Sequence, residues 1–415
     1  MLVFDRGLGG DGWAGFSLLT SLVDDGDVWL ENNHQGVMNG LLGTPDGHLV
    51  AQYPPGIAVL DALPFLAGRA ADRLLPAGVM PDGGALPPVG RVSRGAFLSA
   101  AFIVLARNAA ALLGLLWTFL ALRRLGLPER RTAAAVALTF FGGPLIFYSL
   151  VGMTHAPTFA LAALLLLLLA RRRETESLRL ACAAGAVVGA AVLLRYSAVA
   201  LLVPAVFSIR GLRGRAVTIA GFSLLLLPLP FWWHACFGSW LPPPYGGSWV
   251  ITAASPWNVL FGPVHGLFLF HPALLFAAMG LTLPVRETRG WRGNAAVWFL
   301  AVAVLHGWWS EASNPGGYGQ RFLIDALPAL ALGFAGWLRP PGQRLRISLC
   351  LAAALAGWLL FFAAVGGLVP PPPPWPWPQR LGEYAGLLRH PPGPAEILAA
   401  LRRSSFLIRG LAGLR

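Results

Sequence analysis

The chain has 415 residues, 56% of them hydrophobic and 12% charged, about half the charged share of an ordinary soluble domain. That composition excludes a water-soluble globule, and at roughly 20 apolar residues per bilayer crossing it suits about ten crossings of an all-α, polytopic membrane protein. The net charge of +13 comes from Arg alone, because the sequence contains no Lys. Nucleic-acid binding does not fit its distribution: 17 of the 31 Arg fall in five short segments between apolar runs, where the positive-inside rule places cytoplasmic loops.

In chain order, residues 1–98 form an outer segment with juxtamembrane helices, 99–369 a helical membrane core, and 370–415 a Pro-rich start and amphipathic tail, all within one domain. The opening residues MLVFDRGLGGDGW lack the basic start and apolar run of a cleavable signal. A first helix descends over 99–121. The Arg-rich segments at 122–131, 171–179, 209–215, 286–292 and 339–346 then divide the core into outward-pointing hairpins. The first, 132–170, turns near VGMTHAPT. The second, 180–208, carries Arg195 in its middle and has arms so short that tilted or re-entrant helices are expected. The third rises through 216–233, makes a long Trp- and Pro-rich outer loop and returns over 267–285; the fourth rises over 295–309 and returns over 322–338; a last helix over 347–369 leads outward. This topology leaves the C-terminal tail outside, lying on the membrane surface through ILAALRRSSFLIRGLAGLR. Cys182, Cys236 and Cys350 show no metal-ligand spacing, and the sequence implies no cofactor.

Eleven of the 16 Trp fall at outer positions, as an interfacial aromatic belt would place them; indole faces also suit the C–H faces of sugar rings. The outer N-terminal segment is acidic, with Asp5, Asp11, Asp24, Asp25, Asp27, Glu31 and Asp46, and it is also rich in Gly, Trp and Leu. It reads either as a solvated loop or as a chain packed on the membrane surface with a carboxylate poised as a general base. His234, His265, His271 and His306 sit near outer helix ends and read as interfacial hydrogen-bonding residues.

The run from Asp11 through SLLTSLVDDGDVWLENN, followed by QYPPGIAVLDALPF, resembles the first outer loop of the polyprenyl-phosphate-sugar glycosyltransferases of the GT-C superfamily, which includes protein O-mannosyltransferases and lipid A aminoarabinose transferases. Asp11, Ser21, Leu22, Asp25, Gly26, Asp27, Asn32, Asn33, Tyr53, Pro54 and Gly56 follow that family's order at similar intervals. PLIFYSLVGMTHAPTF, LLRYSAV, FGSWLPPPYGG, VHGLFLFHPAL and WWSEASNPGGYGQRFLIDALPAL continue the likeness over most of the chain. The sequence departs from the family at Gly12, where relatives carry Glu, and at Gly15, where they carry Tyr. The family also has a crossing before this loop, so the reading expects an apolar crossing encoded upstream of Met1.

The resemblance implies a multi-pass protein of the inner or plasma membrane that transfers a sugar from a polyprenyl-phosphate donor to a lipid, glycan or protein hydroxyl at the outer face. Asp11 would be the catalytic base, Arg321 and Arg195 would bind the donor phosphate, and His155, Tyr53, Trp309 and Tyr318 would position substrate. Alternatives stay open for each residue: Arg321 also reads as an interfacial anchor, Arg195 as a charge with an internal partner, and His155 as a plain loop histidine. A transporter or flippase of an anionic substrate and a noncatalytic relative are the competing readings of the whole chain. Transporters usually show repeat symmetry and midplane polar groups, neither of which is apparent here.

Overall fold

The computed structural model describes residues 10–33, 41–74, 85–86, 90–91, 94–149, 152–241, 251–252, 254–262, 265–283, 290–309, 319–339 and 342–365, together with 393 and 395. Its helices are α1 (Gly10–Thr20), α2 (Gly56–Leu74), α3 (Arg94–Arg124), α4 (Glu129–Gly142), α5 (Leu145–Ser149), α6 (His155–Thr175), α7 (Leu178–Leu194), α8 (Leu202–Phe207), α9 (Leu212–Leu226), α10 (Pro228–Phe237), α11 (Ala254–Phe261), α12 (Leu267–Phe270), α13 (Ala273–Thr282), α14 (Arg292–Trp308), α15 (Leu327–Trp337) and α16 (Gln343–Val365). A small antiparallel hairpin, β1 (Leu41–Gly43) with β2 (Leu49–Ala51), pairs Leu41 with Ala51 between α1 and α2. A second strand pair joins Ala85–Leu86 to Gly90–Arg91.

Four helical stretches are long and apolar enough to cross a bilayer: Leu98–Arg124, His155–Thr175, Leu212–Phe237 and Gln343–Phe361. Shorter apolar helices, among them Leu178–Leu194 and Ala273–Thr282, pack between them. The hairpin carrying Arg195 has the short arms its sequence indicated. After α7 the backbone at Arg195 becomes extended, at φ −154° and ψ 119°, and the chain returns through a 3₁₀ turn, Tyr196–Leu201, and α8.

Arginines of three Arg-rich segments bond to carbonyls at or just beyond helix C-termini. Arg123 donates to the Leu127 carbonyl at 2.7 Å, Arg292 to that of Leu283 at 2.5 Å and Arg346 to that of Trp337 at 2.9 Å. Cations at helix C-termini satisfy carbonyls that have no partner within the helix and complement the helix dipole.

Between the ends, helices meet through small residues. A Cβ added to Gly280 of α13 would stand 1.9 Å from the Gly333 carbonyl of α15, and one added to Gly185 of α7 would stand 1.9 Å from the Thr218 carbonyl of α9. Backbones approach this closely only where side chains are absent, which is how membrane helices gain packing contact without a hydrophobic drive between them. Polar side chains along these helices bond to their own turn: Thr118 to Gly114, Thr139 to Ala135 and Thr218 to Gly214, at 2.8, 2.8 and 3.0 Å. Apart from 393 and 395, the Pro-rich segment and the tail from 370 onward lie outside the described residues.

Candidate active site

The N-terminal segment packs against α2 and the residues that lead into α6. Its hydrogen bonds are largely internal. Ser21 donates to the Trp29 carbonyl at 2.6 Å, Asp27 accepts the Trp29 amide at 2.9 Å, and Asn32 and Asn33 both donate to Asp25. This mutual bonding holds the Asp-Gly-Asp and Asn-Asn residues as a turn, with Gly26 supplying the left-handed backbone at φ 75°. Arg69 pairs with Asp24 at 2.5 Å and ties the turn to α2.

Asp11 behaves differently. It lies in the first turn of α1, where a negative charge is favoured by the helix dipole, yet it is only 5% exposed. One oxygen, Oδ2, accepts the Thr154 hydroxyl and, at 3.3 Å, the Thr154 amide. Thr154 precedes α6 and caps no amide of that helix, because its hydroxyl is committed to Asp11. The other oxygen, Oδ1, is buried without a hydrogen-bond partner.

Beside Asp11 lies a cavity of about 290 Å³. Of the residues anticipated from sequence, Asp11, Tyr53, His155, Arg195, Trp309 and Arg321 all line it; Tyr318 lies outside the described residues. These positions come from α1, the segment after β2, the start of α6, the break after α7, the residue after α14 and the 3₁₀ turn Arg321–Ala326, and so span some 310 residues of sequence. Gly319, with φ 59°, makes the turn into this last element, and a Cβ there would meet the His271 ring at 2.5 Å.

Phe322 organises the cationic side of the cavity. The Arg321 guanidinium lies 5.0 Å from its ring centroid and that of Arg195 5.6 Å. The His306 ring stacks on it at 5.4 Å, and Trp309 meets it edge-on at 5.0 Å. Arg195 also has an internal partner, Asp325, at 3.8 Å. His306 differs from its reading as an interfacial residue: it is 1% exposed, its Nδ1 faces the Val302 carbonyl at 2.9 Å, and its Nε2 is buried without a hydrogen-bond partner. Both ring nitrogens of His155 are likewise buried without one. Each such group carries a desolvation cost, and here they converge on one cavity. Among the described residues no His, Cys, Asp or Glu cluster is arranged to hold a metal ion.

Sequence reading passed over a second buried pair, Asp61 and Arg107. The guanidinium clamps the carboxylate through Nε at 3.3 Å and through a close Nη2 contact, and both side chains are buried. Burial pushes the Asp61 carboxyl above the usual carboxylate range, with Arg107 opposing. A signal for both was present: Asp61 sits on the buried stripe Ile57, Ala58, Phe65 and Gly68 of α2, and Arg107 is a lone charge within an apolar run. The departure at Gly15 also has a spatial reason. A Cβ there would stand 2.2 Å from Ile57 Cγ2 and 3.6 Å from Asp61 Oδ2, so the larger residue of the relatives has no room between α1 and α2.

The chain is similar to the crystal structure of ArnT from Cupriavidus metallidurans bound to undecaprenyl phosphate, with a TM-score of 0.50 and 16% identity over 99% of this chain and 74% of that one. It also aligns with the apo state of that protein, at a TM-score of 0.47, 17% identity and coverage of 99% and 73%, and with an Archaeoglobus fulgidus oligosaccharyltransferase, at 0.42, 11%, 96% and 52%. No protein-family model and no curated protein matches the sequence. The chain therefore shares the overall fold of that ArnT structure.

Proposed function

We propose that this protein is a membrane glycosyltransferase that moves a sugar from a polyprenyl-phosphate donor to an acceptor hydroxyl at the outer face. The observation that carries the reading is the pairing, across one cavity, of a buried carboxylate oxygen without a partner and two guanidinium groups on Phe322. The reaction needs both. The acceptor oxygen attacks the anomeric carbon while its proton passes to Asp11 Oδ1; the bond from that carbon to the phosphate oxygen breaks, and its electron pair leaves with the polyprenyl phosphate. The phosphate gains one negative charge, which Arg195 and Arg321 stabilise. Guanidinium suits this task because its planar fork matches phosphate oxygens. His155 and His306 offer ring nitrogens to substrate hydroxyls or phosphate, and Tyr53 and Trp309 offer flat faces to the sugar. The bound undecaprenyl phosphate of the ArnT structure supports a polyprenyl lipid as the carrier.

Lipid and glycan extracts of cells with the gene, without it, and carrying Asp11→Asn should be compared by mass spectrometry. A modified species present only with the intact gene is expected to vanish in Asp11→Asn and to persist in Asp25→Asn, whose carboxylate is held in the outer turn. A product that persists in Asp11→Asn removes the proposed mechanism.

A further inference from the structure

Arg107 does more than neutralise Asp61. Its Nη1 donates to the Gly152 carbonyl, while Nε and Nη2 hold Asp61. One guanidinium thus joins α2, α3 and the hairpin turn that begins at Gly152. Gly152 has φ 47°, so the turn depends on a left-handed backbone at the residue whose carbonyl Arg107 grips. Two residues later, Thr154 supplies both hydrogen bonds to Asp11, and the next residue is His155. Asp61 also adjoins α1 directly, because its Oδ2 lies 3.6 Å from the Cβ position of Gly15, one turn along from Asp11.

Resting on the glycosyltransferase reading, we infer that Asp61 and Arg107 are a positioning pair for the catalytic carboxylate: by fixing the 152–154 turn they hold Thr154 against one oxygen of Asp11 and leave the other available to the acceptor. Neither residue touches the cavity, so neither is a catalytic residue; they act through Thr154. A pair serving only to fill the interior would have no need of the third bond, to Gly152. The arrangement also keeps the two neighbouring carboxylates distinct, since Asp61 is engaged by Arg107 and Asp11 only by neutral donors.

The test uses the full-length protein in lipid nanodiscs and two readouts. The first is modification of Asp11 by a hydrophobic carbodiimide, which attacks protonated carboxyl groups, located by peptide mass spectrometry across a pH series. Among the described residues, the charged and titratable groups around Asp11 include Tyr53, Asp61, Arg107, His155, Arg195, Tyr196, His306 and Arg321. The second is turnover against affinity for undecaprenyl phosphate. Asp61→Asn should change the rate of Asp11 labelling, because Arg107 then loses the carboxylate that orients it toward Gly152. Asp61→Leu with Arg107→Met removes both charges and should keep the fold, as apolar replacement of a buried pair often does. It should cut turnover at least tenfold, leave undecaprenyl phosphate affinity within twofold, and change the Asp11 labelling rate at least threefold. Arg107→Lys keeps the charge but cannot reach both Asp61 and Gly152; it should show the same loss of turnover and is decisive should the double variant not fold. Wild-type labelling and turnover in these variants overturns the inference. Shifted labelling in a protein that transfers no sugar even when unaltered leaves the pair standing and removes the glycosyltransferase reading instead.

Discussion

The α7–α9 and α13–α15 seams and the cavity are built under opposite rules. In the seams, polar groups bond locally, as Thr218 does to Gly214, and backbones touch where Gly185, Gly280 and Gly333 carry no side chain. At the cavity, Asp11 Oδ1, both nitrogens of His155 and Nε2 of His306 are buried with no hydrogen-bond partner. Close packing and local satisfaction maximise stability; leaving several desolvated groups together lowers it. At the cavity, a ligand that supplies hydrogen bonds to these atoms would offset that cost. The contrast also separates two kinds of acidic residue within the N-terminal segment: Asp25 and Asp27 are occupied by the turn they build, whereas Asp11 keeps one oxygen in reserve.

The contrast is sharpest for Asp11. Asp11→Asn should reduce transfer by about 10² to 10⁴, the usual contribution of a positioned base, while thermal melting in detergent shifts little; a large fall in melting temperature with turnover retained would put Asp11 on the structural side. In a seam the result should be the reverse. Gly280→Leu drives a side chain into the Gly333 carbonyl and should destabilise by about 3 kcal/mol or more, following the cost of overpacking, with any protein that remains folded binding undecaprenyl phosphate normally. Arg321→Lys keeps the charge and loses the fork, so undecaprenyl phosphate affinity, measured by titration in nanodiscs, should fall about tenfold, or about 1.4 kcal/mol. Unchanged affinity would make Arg321 an interfacial anchor.

Two smaller effects test the edges of the comparison. Thr218→Val removes a hydroxyl bonded to its own helix and should lower stability by about 1 kcal/mol, the net worth of one hydrogen bond, and alter transfer not at all. Asp61 sets a pH dependence of determined sign. Its carboxyl binds its proton more tightly in the folded protein than the unperturbed value of 3.8, so folding takes up protons just above that pH and stability falls as pH rises through the raised value. Melting temperature should therefore decline gently over that window in the wild type, and this component should be missing in Asp61→Asn.

Composition and Arg spacing were enough to read a helical membrane protein and the short arms around Arg195, because bilayer thickness and loop charge act on each segment separately. Arg195 was legible for a related reason, as a charge within a short apolar hairpin, whereas Asp11 and Arg321 stood out through the family resemblance of the segments that carry them. What the sequence could not decide is who meets whom. Asp61 and Arg107 are 46 positions apart and Asp11 and Thr154 are 143 apart, and His306 looks like any interfacial histidine until Phe322 packs on it. Hydrophobic periodicity and loop charge are local signals, whereas the partner of a buried carboxylate is set by how α1, α2, α3 and the 152–154 turn pack, a property of the assembled bundle alone.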